Sequence, residues 1–128
     1  MPNAEGIYNG GWEVQCRHEK SGATLIVDPM SGFSPTELCV TALCACTLMT
    51  MGYYGKKHNI DVSGTRCIVS EGYSYDRRRI ESIDILFIMP DRSYTPEEKA
   101  GIERVSQSCP VHNSFREDMK ITMNFKWQ

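Results

Sequence analysis

From Leu38 to Gly55 the chain carries no charged residue. Ser34-Pro35-Thr36-Glu37 opens this stretch, with Ser at the helix N-cap, Pro at the first helical position and Glu three residues after the cap. That is a capping box, in which each side chain answers an orphan backbone donor. A helix is therefore predicted from Pro35 to about Gly55 or Lys57, and at 1.5 Å per residue it is about 30 Å long. The stretch reaches the lower bound for a membrane span. Thr41, Thr47, Thr50 and Gly52 interrupt it, however, and a polar box opens it, so it reads as a helix buried all round. A chain of 128 residues is one domain by length and has little material to wrap such a helix. A sheet can cover one face; a second copy of the chain is expected on the other, giving an obligate dimer with this helix inside.

The flanking segments read as strands and shorter helices. Trp12, Val14 and Cys16 alternate with Glu13, Gln15, Arg17 and Glu19 as a half-buried strand. After the Ser21-Gly22 turn, Thr24 to Asp28 returns as the second strand of a hairpin. Ile60 to Glu71 and Arg79 to Met89 are two further predicted strands. In the latter, Ile83, Ile85, Phe87 and Met89 share one face. Arg77-Arg78-Arg79 lies between them and reads as a solvated hairpin tip rather than a phosphate site. Thr95-Pro96-Glu97-Glu98 repeats the cap pattern and opens a helix to about Ser108. Cys109-Pro110 interrupts that helix and starts a short new turn. Met119 to Trp127 alternates strictly as a last strand. The expected fold class is α+β, a single domain over residues 1–128 with antiparallel strands and helices packed on one face.

Composition narrows the function classes. The formal charge is −2, so no global basic field draws nucleic acid or an anionic membrane. The first residues have neither a basic nor an apolar leader segment, and a reducing cytoplasm is the expected location. There six cysteines are read as packing, metal-binding or reactive groups, not as a disulfide framework. Cys44-Ala45-Cys46 has the wrong spacing for zinc, and His18, His58 and His112 are scattered, so no metal site is expected. Cys39, Cys44 and Cys67 read as small hydrophobes. Cys109, at the start of a helical turn, can feel the positive end of that turn, whereas burial alone would raise the pKa of Cys46.

Phe33-Ser34-Pro35-Thr36-Glu37-Leu38, followed by Ala42-Leu43-Cys44-Ala45-Cys46-Thr47, resembles the first signature of the OsmC/Ohr family of osmotically induced and organic-hydroperoxide-resistance proteins. Cys109-Pro110-Val111-His112-Asn113-Ser114 resembles its second cysteine motif, and the spacing from Cys46 to Cys109 suits the family. The resemblance implies an intertwined homodimer with central long helices. It implies a peroxidase that reduces organic hydroperoxides or hydrogen peroxide with a cysteine pair, Cys46 matching the peroxidatic and Cys109 the resolving residue. A dithiol reductant would restore the pair, with no metal or flavin cofactor.

The resemblance also implies an arginine that activates the first thiol and an acidic residue that holds it. Arg17, the only arginine ahead of the long helix, is the candidate for the first role, and guanidinium suits it: always charged, with several donors. Glu37 is the acidic candidate, one place later than the family's glutamate, where this chain has Thr36; it also serves the capping box. The shift places the chain nearer the OsmC-like branches than the proven peroxidases. The alternative is a non-catalytic dimer that binds a small apolar ligand or a partner at the same cleft, with Met49, Met51, Tyr53 and Tyr54 as lining.

Overall fold

The computed structural model describes residues 2–128, which divide into a first unit ending at Cys39 and a second from Val40 to Gln128. The first holds an antiparallel sheet of β1 (Ala4–Gly10), β2 (Glu13–His18) and β3 (Thr24–Val27), in the order β1-β2-β3. The hairpin β2–β3 matches expectation. Strand β1 does not appear in the sequence reading: only Ile7 and Tyr8 of Ala4–Gly10 are residue types that mark strands, and Gly6, Asn9 and Gly10 flank them. Its signal lies in the turn: Gly10 and Gly11 both have positive φ and close a tight link to β2. Trp12 stands in that turn, 71% exposed, instead of on the inner face of β2. Among the large apolar residues of this sheet only Val27 is buried, while Ile7, Tyr8, Leu25 and Ile26 stay exposed.

Helix α1 (Pro35–His58) begins in the first unit. The capping box forms as the sequence requires: Ser34 Oγ accepts from the Glu37 backbone N–H at 3.2 Å, and Glu37 accepts from the Ser34 N–H at 2.9 Å. Lys56, Lys57 and His58 occupy the last turn, where cations suit the helix dipole. Asn59, at φ 56°, ends the helix in the left-handed conformation, and the Ile60 N–H returns to the Gly55 carbonyl at 2.7 Å.

The second unit adds β4 (Arg66–Tyr73), β5 (Ile80–Ile88), α2 (Pro96–Val105), α3 (Pro110–Ser114) and β6 (Lys120–Lys126). The sheet order is β4-β5-β6. β4 and β5 are antiparallel, but β5 and β6 are parallel, so the sheet is mixed and the expectation of antiparallel strands throughout is corrected. The reason is the connection: α2 and α3 lie between the two strands, and a long crossover returns the chain in the same direction. Residues 60–65 are not strand as expected. Asp61 Oδ1 accepts from the Ser63 N–H, and Gly64 turns at positive φ, which breaks the extended run before Arg66.

The core lies on one face of this sheet. Ile83, Ile85, Phe87 and Met89 of the central segment are all 2% exposed or less, as their alternation predicts. Register sets Phe87 beside Phe125, with rings stacked at 4.8 Å, and opposite Cys67 on the other neighbour. Val40, Leu43 and Met51 of α1 and Ile102 of α2 complete the same cluster. On α1 the buried residues are Val40, Leu43, Cys44, Thr47, Met51 and Gly55, a single stripe at helical spacing. The opposite face is apolar but exposed, with Met49 at 74% and Tyr53 at 65%. The helix is long and apolar enough to cross a membrane by length and composition, but its buried stripe makes it the core helix of this fold.

Candidate functional site: a cysteine pair between helix α1 and the turn after α2

Helix α2 has its own capping box, in which the Thr95 hydroxyl accepts from the Glu98 N–H and Glu98 accepts from the Thr95 N–H. It stops at Val105, three residues earlier than expected, and Ser106 to Ser108 pass through turns to Cys109. Pro110 cannot donate to a continuing helix, so it opens α3 with Cys109 as the cap residue. The Cys109 sulfur accepts from the His112 N–H at 3.3 Å, the half of the helix-end expectation that the structure bears out. The other half holds as well, since burial raises the Cys46 pKa, although Cys109 is the more deeply buried of the two.

This turn brings Cys109 against the middle of α1. Cys109 Sγ lies 3.6 Å from the hydroxyl of Thr47, which is itself fully buried. Thr47 has one hydroxyl proton and gives it to the Leu43 carbonyl at 2.9 Å, so in the thiol form Cys109 is the donor to Thr47. One residue along, the Cys46 thiol is near enough to Cys109 and to the Val111 backbone N–H for each to influence its ionisation, and the Thr50 hydroxyl donates to the Cys46 backbone carbonyl at 2.9 Å. The two cysteines that the motifs single out are thus neighbours, Cys109 in the core cluster and Cys46 packed against it.

Electrostatically the pair favours the protonated Cys46. Burial is the largest influence and pushes its thiol above the ordinary value; hydrogen bonding and charge from Cys109 act the same way, against the Val111 N–H and the Thr50 hydroxyl. None of these groups is cationic. Arg17 belongs to the first unit, where its guanidinium pairs with Glu19 at 3.4 Å at the exposed end of β2. Glu37, also in the first unit, is held below the ordinary carboxylate range by the Ser34 backbone N–H and hydroxyl.

A family model described as OsmC-like protein matches residues 28–124. The chain belongs to the OsmC-like family. The solved structures similar to it include an OsmC-like protein of Mycoplasma pneumoniae, 19% identical, with a TM-score of 0.79 over 98% of this chain and 94% of that one. A Psychrobacter arcticus protein assigned to osmotic stress and detoxification responses is 22% identical, with a TM-score of 0.92 over 98% and 96%. The organic hydroperoxide resistance protein OhrB of Bacillus subtilis is 18% identical, with a TM-score of 0.66 over 96% and 97%. No curated protein sequence matches the chain. The OsmC-like fold, with its two three-stranded sheets and long helix, is therefore the fold of this chain.

Two expectations about the remaining cysteines are corrected. Cys39 is exposed rather than packed, because it sits off the buried stripe of α1. Cys44 and Cys67, read as separate small hydrophobes, are joined in a disulfide between α1 and β4. Sequence spacing could not reveal that pairing, since it depends on which face of β4 looks at the helix. The basic run Arg77-Arg78-Arg79 lies at the hairpin between β4 and β5, as expected, with Arg77 over the Tyr73 ring and the Arg78 N–H on Asp76. Of the residues proposed to line an apolar site, Met51 borders a cleft of about 400 Å³ with Leu48, Gly52, Lys56 and residues 60–65.

Proposed function

We propose that the protein is a thiol-dependent peroxidase that reduces organic hydroperoxides or hydrogen peroxide through Cys46 and Cys109. The proximity of these two thiols, far apart in sequence but brought to one core cluster, supports this reading most directly. Cys46 thiolate attacks one peroxide oxygen and the O–O bond breaks. The departing alkoxide takes a proton, leaving alcohol and a sulfenic acid on Cys46. The Cys109 sulfur then attacks the Cys46 sulfur; its proton and the sulfenic hydroxyl leave as water, and a disulfide remains. Two electrons from a dithiol reductant restore both thiols.

Cys46 needs a cation to ionise at neutral pH, because its immediate neighbours do not provide one. Arg17 is the residue proposed for this role and Glu37 the one proposed to orient it. The functional unit is a homodimer in the cytoplasm. The exposed apolar face of α1, with Met49 and Tyr53, and the sparsely buried first sheet support a second copy as the missing cover.

The test is to mix reduced protein with cumene hydroperoxide and titrate free thiols. Loss of Cys46 and Cys109 as thiols, abolished by Cys46→Ser and slowed by Arg17→Met, is the expected result. No peroxide consumption above the uncatalysed rate would refute it. A second reading, a non-catalytic dimer that binds a small apolar ligand, is favoured by one observation: the uncharged surroundings that keep Cys46 protonated. Native mass spectrometry showing a retained acyl compound, together with no turnover, would select it.

A further inference from the structure

We propose that Cys44 and Cys67 form a second, reversible thiol–disulfide pair that latches helix α1 to strand β4, separate from the Cys46–Cys109 pair. Cys44 lies on the buried stripe of α1, between Leu43 and Thr47. Cys67 is opposite Phe87 in the β4–β5 register, so its side chain leaves the sheet on the core face, toward that stripe. The Cα atoms are 6.2 Å apart, inside the span that a disulfide bridges without backbone movement.

The same backbone also accommodates the reduced state. Cys44 Sγ stands 3.7 Å from the Cys67 carbonyl oxygen, so a free Cys44 thiol has an acceptor waiting. Reduction therefore leaves the more deeply buried thiol, Cys44, with a hydrogen-bond acceptor. Cys44 and Cys46 are two positions apart on a helix, which turns their side chains about 200° from one another. The bridge to Cys67 therefore leaves Cys46 free to meet Cys109.

The chemistry assigned to this pair is exchange with a low-molecular-weight disulfide. Cys67 is half-buried and Cys44 is 9% exposed, so Cys67 is the sulfur that reagent reaches. Its thiolate attacks one sulfur of the reagent, breaking that S–S bond and expelling a thiolate. Cys44 then attacks Cys67 in the mixed disulfide, expels the second thiolate and forms the internal bond; the two protons lost by Cys67 and Cys44 convert the expelled groups to thiols. The protein loses two electrons and the reagent gains them. Because the latch is independent of peroxide, it stands or falls apart from the peroxidase reading.

The test uses the full chain, equilibrated in glutathione buffers from fully reduced to fully oxidised, then alkylated, digested with trypsin and mapped by mass spectrometry. Trypsin leaves Cys44 between Lys20 and Lys56, and Cys67 between Arg66 and Arg77. A linked pair of these two peptides should appear with oxidised glutathione, disappear with excess reduced glutathione, persist in Cys46→Ser and vanish in Cys44→Ser. Serine at 44 keeps a donor for the Cys67 carbonyl; should it fail to fold, Cys67→Ser and fragmentation of the wild-type link between Cys44 and Cys46 give the same answer. No link at any ratio overturns the proposal, as does a link that survives Cys44→Ser or one that excess reduced glutathione cannot open.

Discussion

Gly101→Ala sets two effects of opposite sign against each other. Gly101 is buried in the middle of α2, and alanine is the better helix former by about 1 kcal/mol when nothing else intervenes. The structure reverses that sign. A Cβ at position 101 would fall on the Tyr54 hydroxyl, 2.8 Å from Cζ and 3.2 Å from Cε1 of the same ring. Tyr54 cannot simply swing away, because its ring is packed on the core cluster and lies 4.2 Å from the His58 ring. Inserting a methyl group into such a contact costs about 1–3 kcal/mol. Set against the propensity gain, the net expectation is a loss of about 1 kcal/mol. Urea unfolding followed by far-UV circular dichroism, at one protein concentration and with reductant present, measures it. Tyr54→Phe in the same background removes the hydroxyl and should recover part of the loss, about 0.5 kcal/mol or more as a coupling energy. Because α2 leads directly into Cys109, Gly101→Ala should also slow formation of the Cys46–Cys109 disulfide. An alanine variant as stable as the wild type, with no coupling to Tyr54, would show that the helices are not docked through this contact.

Phe87→Ala removes a fully buried ring stacked on Phe125 and should cost about 3–5 kcal/mol in the same unfolding assay; a loss under 1 kcal/mol would place Phe87 outside the core. Ser34→Ala removes one acceptor of the α1 capping box and should cost about 0.5–2 kcal/mol. The Glu37 side of that box gives a pH dependence: its folded pKa is depressed by hydrogen bonds from Ser34, so its contribution is present above the ordinary value of 4.5 and lost as pH falls through the lower folded value. Glu37→Gln should therefore flatten the acid limb of the stability profile, and an unchanged limb would count against the box. Cys109→Ala removes both a hydrogen bond and a charge interaction that raise the Cys46 pKa, so the pH profile of Cys46 alkylation by iodoacetamide should move to lower pH; a shift upward would contradict the assigned contact.

Local rules decided much of this chain. The capping boxes at Ser34–Glu37 and Thr95–Glu98, the alternation of Ile83, Ile85, Phe87 and Met89, and the Pro110 restart are short-range facts, because caps, pleats and proline act within a few residues. The uncharged run from Leu38 to Gly55 announced a core helix, and the two cysteine motifs announced the family. Strand β1, the parallel placement of β6 and the break at residues 60–65 depended on long crossovers or on turns that compete with extended chain, and side-chain pattern records those weakly. The cysteines divide in the same way. Sequence singled out Cys46 and Cys109, but only the packing of the turn after α2 against α1 made them neighbours and set the burial that raises the Cys46 pKa. The Cys44–Cys67 pair was decided by tertiary structure alone, since strand register determines which face of β4 meets the helix, and no spacing along one chain encodes that.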